Sequence, residues 1–451
     1  MALMKLDIEK LASGGLGLAR HDGEVLLLPG ALPGEEVLAE PGGMVRGVRR
    51  ARVREVISAS PFRVEPDCPL ARRCGGCDFR HVHPAEALRL KSEAALGELA
   101  EKAGINIELI ESPLTNHYRN RATVHLDRRD DNAYGVGFYD SGRRLVEFEE
   151  CLLLAPELNG LIEPLRRWAS ALPAECSGAE IGLLKGEADS GLAVHFSPLP
   201  MPRPAGRGRR TDTPSLAPAL LKALADLPPL LADHGLTEVV VFARSGGRGR
   251  PRKISTGGPQ RLPVAVWPEF DLTLCADPGG FTQVNPAVNR LMVKKILELA
   301  APLASGKAPA ALDLYSGLGN IALPLLKSGF TVTAVEESPD GTAAARENGR
   351  GLSGLTVITG RSETTVDQLV RQGRRFDLAV LDPPRSGARD LAPALAALSP
   401  KMIIYVACHP AVLGRDLPAF ASLGYDLLNL VALDMFPRTS HLEALAVLTR
   451  K

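Results

Sequence analysis

Cys408 lies in the segment Tyr405-Val406-Ala407-Cys408-His409-Pro410, directly behind the apolar run Met402-Ile403-Ile404. That order places a thiol at the end of a predicted buried strand, where an open α/β sheet presents its reactive groups. Further on comes a dense polar stretch, Asp434-Met435-Phe436-Pro437-Arg438-Thr439-Ser440-His441-Leu442-Glu443. A cysteine and a glutamate on neighbouring sheet loops can give one substrate a nucleophile and a base. The competing explanation for Cys408 is a buried structural thiol, a common fate of cysteine. Its polar loop argues against that.

Such a pair needs a sheet to hold it and a ligand to act with. From about Asp271 the chain alternates strands and helices. The predicted strands are Ala311–Tyr315, Thr331–Val335, Leu355–Ile358, Leu378–Leu381, Met402–Val406 and Glu443–Leu448. This is the rhythm of an α/β fold with a doubly wound, mostly parallel, Rossmann-like sheet. The first strand runs into Asp313-Leu314-Tyr315-Ser316-Gly317-Leu318-Gly319-Asn320. Its two glycines let backbone approach a ligand at the strand's carboxyl edge. Glu336 ends the next strand, where a carboxylate can accept both hydroxyls of an adenosine ribose. The fourth strand ends in Asp382-Pro383-Pro384-Arg385. Two prolines fix the direction of the Asp382 carboxylate. An acidic-Pro-Pro loop there is a hallmark of base-modifying methyltransferases that use S-adenosylmethionine. That cofactor has no phosphate, in keeping with the absence of a P-loop.

The 451 residues suffice for two or three domains, and 45% hydrophobic with 23% charged residues is ordinary for a globular protein. Fifty-three basic against 52 acidic residues give no global attraction to nucleic acid, so such binding must come from local patches. No apolar run approaches the roughly 18–20 residues of a membrane span. With no secretory pattern at the N-terminus, a cytoplasmic protein with no membrane partner is expected, its seven cysteines serving as thiols, ligands or catalysts. Residues 1–60 read as four or five short strands, a small OB-like β-barrel. Arg46, Arg49, Arg50, Arg52 and Arg54 give it a basic strip, read as an RNA-contacting surface in preference to a charge-protected edge strand. A mixed α+β central region spans 61–270, with a helix over Pro84–Ala103 started by Pro84 and stopped by Gly104. Pro200–Thr213 and Arg244–Lys253 read as basic loops. The third region is 271–451.

Taken in order, Phe281-Thr282-Gln283-Val284-Asn285, Asp313–Asn320, Asp382–Arg385, Tyr405–Pro410 and Asp434–Glu443 resemble the five motifs of the RNA 5-methyluridine (uracil-5-) methyltransferases. The N-terminal barrel resembles the TRAM domain that many members carry for RNA binding. The resemblance implies cofactor contacts from Gln283, Tyr315, Asn320, Glu336 and Asp382, with Cys408 as nucleophile and Glu443 as base. Ala407, His409 and Arg438 stand where serine, asparagine and histidine are usual. The chemistry explains the residue types. Carbon 5 of uracil is a poor nucleophile until a thiolate adds to carbon 6. Carbon 5 then attacks the sulfonium methyl, a base removes its proton, and the thiolate leaves. Cys408 must therefore be partly thiolate, and Arg385 and Arg438 are the expected positive neighbours. The uridine must leave its stack, so loop or single-stranded RNA is expected, with Phe281 or Phe436 to stack on.

Cys68, Cys74 and Cys77 form C-x5-C-x2-C, and Cys151 completes a possible quartet. Four thiolates suit structural zinc or an iron–sulfur cluster, and spacing does not decide between them. Family members with this spacing carry iron–sulfur clusters, which implies [4Fe–4S]. Barrel and cluster together fit a large structured RNA, so 23S rRNA is preferred over tRNA. A monomer with no protein partner is the default. An exocyclic-amine methyltransferase, with Cys408 a bystander, is the alternative chemistry.

Overall fold

The structure is a computed structural model that describes residues 3–187, 191–198, 217–234, 236–243, 252–255, 261–304 and 309–451. The basic loop at 200–213 and most of that at 244–253 lie outside the described residues. The chain forms two compact units. One takes residues 1–71, 77–115 and 287–451; the other takes 72–76 and 116–286. These units cut across the three consecutive regions expected from the sequence.

In the first unit, β1 (Met4–Asp7), β2 (Lys10–Ala12), β3 (Leu16–His21), β4 (Glu24–Pro29), β5 (Glu36–Val45) and β6 (Val48–Ser58) make one sheet in the order β1-β5-β6-β4-β3-β2. Register shifts along the β5–β6 pair mark the bulges that curve it. Alternate residues turn inward, so Leu26, Leu28, Val37 and Ala39 meet Leu6, Ile8 and Ala51 in a small core. The arginine strip is less free than its sequence suggests. Arg49 pairs with Glu24 at 2.8 Å, and Arg54 pairs with Glu40. Strand pairing brought up acids that are distant in sequence.

The helix α1 (Pro84–Ala103) has the expected bounds, with Pro84 in its first turn and Gly104 in the left-handed conformation at φ 65°. Its first half packs Ala87 and Leu90 with Phe79, Val82, Leu11 and Leu32, joining barrel to helix. Gly15 permits that closeness, because a Cβ there would lie 2.4 Å from the Phe79 ring and 2.7 Å from Ser440. After α1 comes the short strand β7 (Ile107–Ile110).

The second unit has an antiparallel core of β8 (Arg121–Arg128), β9 (Tyr134–Tyr139), β10 (Leu145–Glu147), β11 (Ala179–Lys185) and β12 (Leu192–Pro198). Strand β13 (Leu236–Ala243) adds in parallel and β14 (Arg252–Ser255) closes the edge. The hairpin β15 (Leu262–Trp267) and β16 (Leu272–Ala276) follows. Helices α2 (Pro156–Asn159), α3 (Ile162–Ser170), α4 (Pro218–Ala223) and α5 (Leu227–Leu231) belong to this unit.

The chain returns to the first unit along α6 (Pro286–Ala300). Then come β17 (Ala310–Leu314), α7 (Ala322–Lys327), β18 (Thr331–Glu336), α8 (Pro339–Asn348), β19 (Leu355–Thr359), α9 (Ser362–Arg371), β20 (Leu378–Leu381), α10 (Ala392–Ala397), β21 (Met402–Ala407), α11 (Ala411–Ala421), β22 (Tyr425–Leu433) and β23 (Glu443–Arg450). The sheet order is β19-β18-β17-β20-β21-β23-β22-β7. Strands β17 to β21 are parallel, and all four residues of β20 are buried, as a doubly covered sheet requires. The order reverses beside β17, which opens a crevice at the carboxyl edge between β17 and β20. Strand β23 is antiparallel to both neighbours, and β7 runs parallel to β22. The six sequence-predicted strands are all present; β22 and β7 were not foreseen.

Candidate active site

Six of the expected site residues gather on one edge of the first unit's sheet. Parallel β17, β18 and β20 deliver Tyr315, Glu336 and Asp382 by their carboxyl ends. Cys408 follows Ala407, the last residue of β21, which pairs with Ala444 of antiparallel β23. Glu443 is one step beyond that pair on β23, so thiol and carboxylate come abreast because the last strand runs backwards.

The loop after β17 is shaped by backbone. Tyr315, Gly317 and Gly319 have φ of 62°, 53° and 95°, left-handed conformations that suit glycine and are rare for tyrosine. Glu336 braces this loop by accepting the Gly317 amide at 3.0 Å and the Ser338 amide at 2.7 Å. The Tyr315 hydroxyl meets Glu363 Oε1 at 3.3 Å, at the start of α9. Burial pushes its pKa up to about 12. Asn320 exchanges two amide hydrogen bonds with Asn289 of α6, at 2.8 and 2.9 Å. That edge of Asn320 therefore fastens the loop to α6. Asn289 lacked a sequence signal of its own.

The Asp382-Pro383-Pro384-Arg385-Ser386-Gly387 loop is clamped from behind. Asp416 on α11 is fully buried and accepts from the Tyr405 hydroxyl and the Ala388 amide, each at 2.8 Å. Arg415 bonds Asp416 Oδ1 at 2.6 Å and the Ser386 carbonyl at 2.5 Å. Gly387, at φ 76°, is required because a Cβ would lie 2.3 Å from the Asp416 carboxylate.

The electrostatics of this edge are acidic. Burial raises Asp382 to about 7. Asp313, 1% exposed, stands well above the ordinary range, first through burial and then through the Asp382 and Glu336 charges. Glu443, also 1% exposed, is raised well above it by burial and by Asp382. Cys408 is pushed up to about 11, first by burial and then by the charges of Glu443 and Asp382. Arg385 opposes this shift, as expected, and is outweighed. Arg438 does not contribute. Its backbone is left-handed at φ 65° and its guanidinium turns to Asp67 at 3.5 Å. Of the two arginines expected beside the thiol, Arg385 alone opposes the rise of Cys408.

Gln283 lies half-buried in the second unit. Its neighbour Thr282 binds Arg121 through its carbonyl at 3.2 Å and its hydroxyl at 3.3 Å. The Arg121 guanidinium also bonds the Gly280 carbonyl at 2.9 Å and sits 5.8 Å from the ring centre of Phe281. That ring is 72% exposed, so an aromatic face is held open on a fixed cation.

Cys68 and Cys77 belong to the first unit, Cys74 and Cys151 to the second. All four are half-buried, and none is in a disulfide. Gly75 is needed where it stands, since a Cβ would meet the Tyr139 carbonyl at 2.8 Å. Burial raises Cys151, and the charge of Cys74 adds to the shift. Among the described residues, no group of three or more His, Cys, Asp or Glu is gathered to hold a metal ion. Among the described residues, no helix is long and apolar enough to cross a membrane.

A Rossmann-like sheet with a glycine loop, a carboxylate at the end of its second strand and an Asp-Pro-Pro turn defines an S-adenosylmethionine-dependent methyltransferase. Residues 271–451 match the family model described as tRNA (Uracil-5-)-methyltransferase. The chain is 32% identical to a 23S rRNA (uracil(1939)-C(5))-methyltransferase RlmD of Shewanella sp. (strain ANA-3), covering 99% of this chain and 95% of that one. The enzyme of the same name from Pseudomonas fluorescens (strain Pf0-1) is 33% identical over 98% of this chain and 91% of its own. The solved Pyrococcus abyssi tRNA (uracil-54, C5)-methyltransferase, in complex with S-adenosyl-L-homocysteine, shares the fold with a TM-score of 0.72. It is 23% identical, over 99% of this chain and 100% of that one. The chain belongs to the RNA (uracil-5-)-methyltransferase family. It is an enzyme that transfers methyl from S-adenosylmethionine to carbon 5 of a uridine in RNA.

Proposed function

We propose that the substrate is 23S rRNA, at the uridine corresponding to position 1939 named for its relatives, and that methylation passes through a covalent adduct with Cys408. The observation that carries the reading is the alignment of Cys408 and Glu443 across antiparallel β21 and β23, beside Asp382. S-adenosylmethionine supplies the methyl group. Cys408 adds as thiolate to carbon 6, and the carbon 5 so activated takes the methyl. Glu443 then receives the carbon 5 proton, the carbon 5–carbon 6 double bond re-forms, and the carbon–sulfur bond breaks with its electron pair returning to Cys408. Gln283, Tyr315, Asn320, Glu336 and Asp382 hold the donor. Of these, Glu336 and Asn320 do so while bracing the loop that follows β17. The donor's positive charge opposes the carboxylate charges that push the Cys408 thiol up, and so favours its thiolate.

In the same reading, residues 1–60 are a TRAM-like RNA-binding barrel, with Arg46, Arg50 and Arg52 as phosphate contacts. Residues 61–270 recognise RNA, and 271–451 transfer methyl. The chain works as a cytoplasmic monomer with no further protein partner. Cys68, Cys74, Cys77 and Cys151 hold a [4Fe–4S] cluster; the resemblance to iron–sulfur-bearing family members and the influence of Cys74 on Cys151 support this. Iron and acid-labile sulfide in protein purified without oxygen test it, and zinc instead would overturn it.

The decisive experiment offers the enzyme and donor an RNA with 5-fluorouridine at the target. Fluorine cannot leave as a proton does, so a denaturation-resistant, methylated adduct at Cys408 is expected by mass spectrometry. Full methylation of ordinary RNA by Cys408→Ala would establish amine chemistry instead. Loss of 5-methyluridine from the tRNA T-loop in cells lacking the protein would move the substrate to tRNA.

A further inference from the structure

The loop that ends at Glu443 is held by residues far away in sequence. Lys91 on α1 is 3% exposed, yet its ammonium makes three contacts there. It bonds Asp434 Oδ1 at 2.6 Å, the His441 carbonyl at 3.1 Å and the Phe436 carbonyl at 3.4 Å. Asp434 directly follows Leu433, the residue that pairs with Glu443, and His441 is two residues before Glu443. One ammonium thus bridges both ends of the loop.

Other ties come from the same part of the chain. The Ile110 carbonyl at the end of β7 accepts the Asp434 amide at 3.0 Å. Asp78 accepts the Ser440 amide at 2.6 Å and the Ser440 hydroxyl at 2.5 Å. Phe79 N–H donates to the Arg438 carbonyl at 3.1 Å, and the Arg438 guanidinium reaches Asp67 at 3.5 Å. Asp67 is in turn bonded by buried Arg80 at 2.6 Å.

A buried ion pair is a poor source of stability, since an apolar pair of similar volume often does as well. A lysine suits this place for another reason: it offers three donors at one point, to one carboxylate and two carbonyls. Glu443 must meet the carbon 5 proton at hydrogen-bond range, where small errors of position are expensive in rate.

We infer that Lys91, with Asp78, is a positioning brace for Glu443, so that the segment before and within α1 governs the proton-removal step. The inference rests on the assignment of Glu443 as base. The brace acts after methyl transfer, which separates it from residues that only keep the protein folded. Its loss leaves the carbon 6–sulfur bond intact while the carbon 5 proton waits, and a methylated covalent adduct accumulates on ordinary RNA.

The test compares Glu443→Gln, Asp78→Ala, Lys91→Met and the double variant Lys91→Met/Asp434→Asn, which leaves no unpaired buried carboxylate. Adduct formation and release are followed separately in single turnovers, with melting temperature alongside. For the brace variants, adduct formation within about twofold of the parent and release roughly 10- to 100-fold slower are expected. Unchanged release, or formation and release falling together with melting temperature, overturns the brace. If Glu443→Gln accumulates methylated adduct and the brace variants do not, the brace alone fails. If Glu443→Gln releases product normally, the base assignment fails and takes the brace with it.

Discussion

Donor binding should expel protons from this site. Asp382 titrates at about 7 in the empty protein because burial disfavours its charge. The donor carries a sulfonium and an ammonium against one carboxylate, a net positive charge. Placed beside Asp382, it should return that carboxylate towards its ordinary value of 3.8. The sign follows. Below about pH 7 the empty site binds a proton that the occupied site does not, so binding releases it. Affinity must then rise with pH by up to about tenfold per unit between roughly pH 5 and 7, and level off above. At pH 7 about half a proton should leave from Asp382, and at pH 6 nearly a whole one. Calorimetric titration in buffers of different ionisation enthalpy reads that number directly. The demethylated product, S-adenosylhomocysteine, lacks the sulfonium charge and should show a shallower slope. An affinity that is flat across this range, or a slope unaltered in Asp382→Asn, would refute the electrostatic account of the site.

Two further outcomes follow from neighbouring features. Asp416→Asn removes the charge from the clamp behind the Asp-Pro-Pro loop, where Tyr405, Ala388 and Arg415 converge on one buried carboxylate. It should destabilise the protein by about 1–3 kcal/mol in denaturant unfolding, and slow adduct formation because the loop that follows Asp382 loses its clamp. Phe281→Ala removes the exposed ring over Arg121. It should weaken RNA binding by roughly 1–3 kcal/mol in a filter or fluorescence assay, raising KM for RNA with little change in kcat.

The sequence announced the catalytic sheet because its strands are doubly buried. Leu378–Leu381 and Ile403–Val406 are continuous apolar runs whose polar followers mark the carboxyl edge, so Asp382 and Cys408 could be found by position alone. Helix α1 was equally plain from Pro84 and Gly104. Strand β22 was hidden because a register shift between Leu427 and Asn429 breaks its pattern, and β7 because it has only four residues. Lys91 and Asp416 could not be read at all. A lysine in a helix looks like a solvated face, and its meaning depends on Asp434 at the far end of the chain. Arg438 is near Glu443 in sequence, yet its guanidinium turns to Asp67, a partner that sequence distance hides. The barrel arginines were overcounted for the same reason, since Glu24 and Glu40 approach only when the strands pair.

The pairing of Ile107 with Leu430 cannot form until β22 has been synthesised. A growing polypeptide emerges with β7 and Lys91 long before the ribosome has made β22 and Asp434. Until then an edge with Leu109 on it stands open, and an ammonium meant for the interior stays in water. Contacts so distant along the chain form late, and prematurely terminated products are left with a sticky, incomplete sheet. Chains shortened before β22 should therefore depend on chaperones and be cleared quickly, even though every residue of the barrel is present.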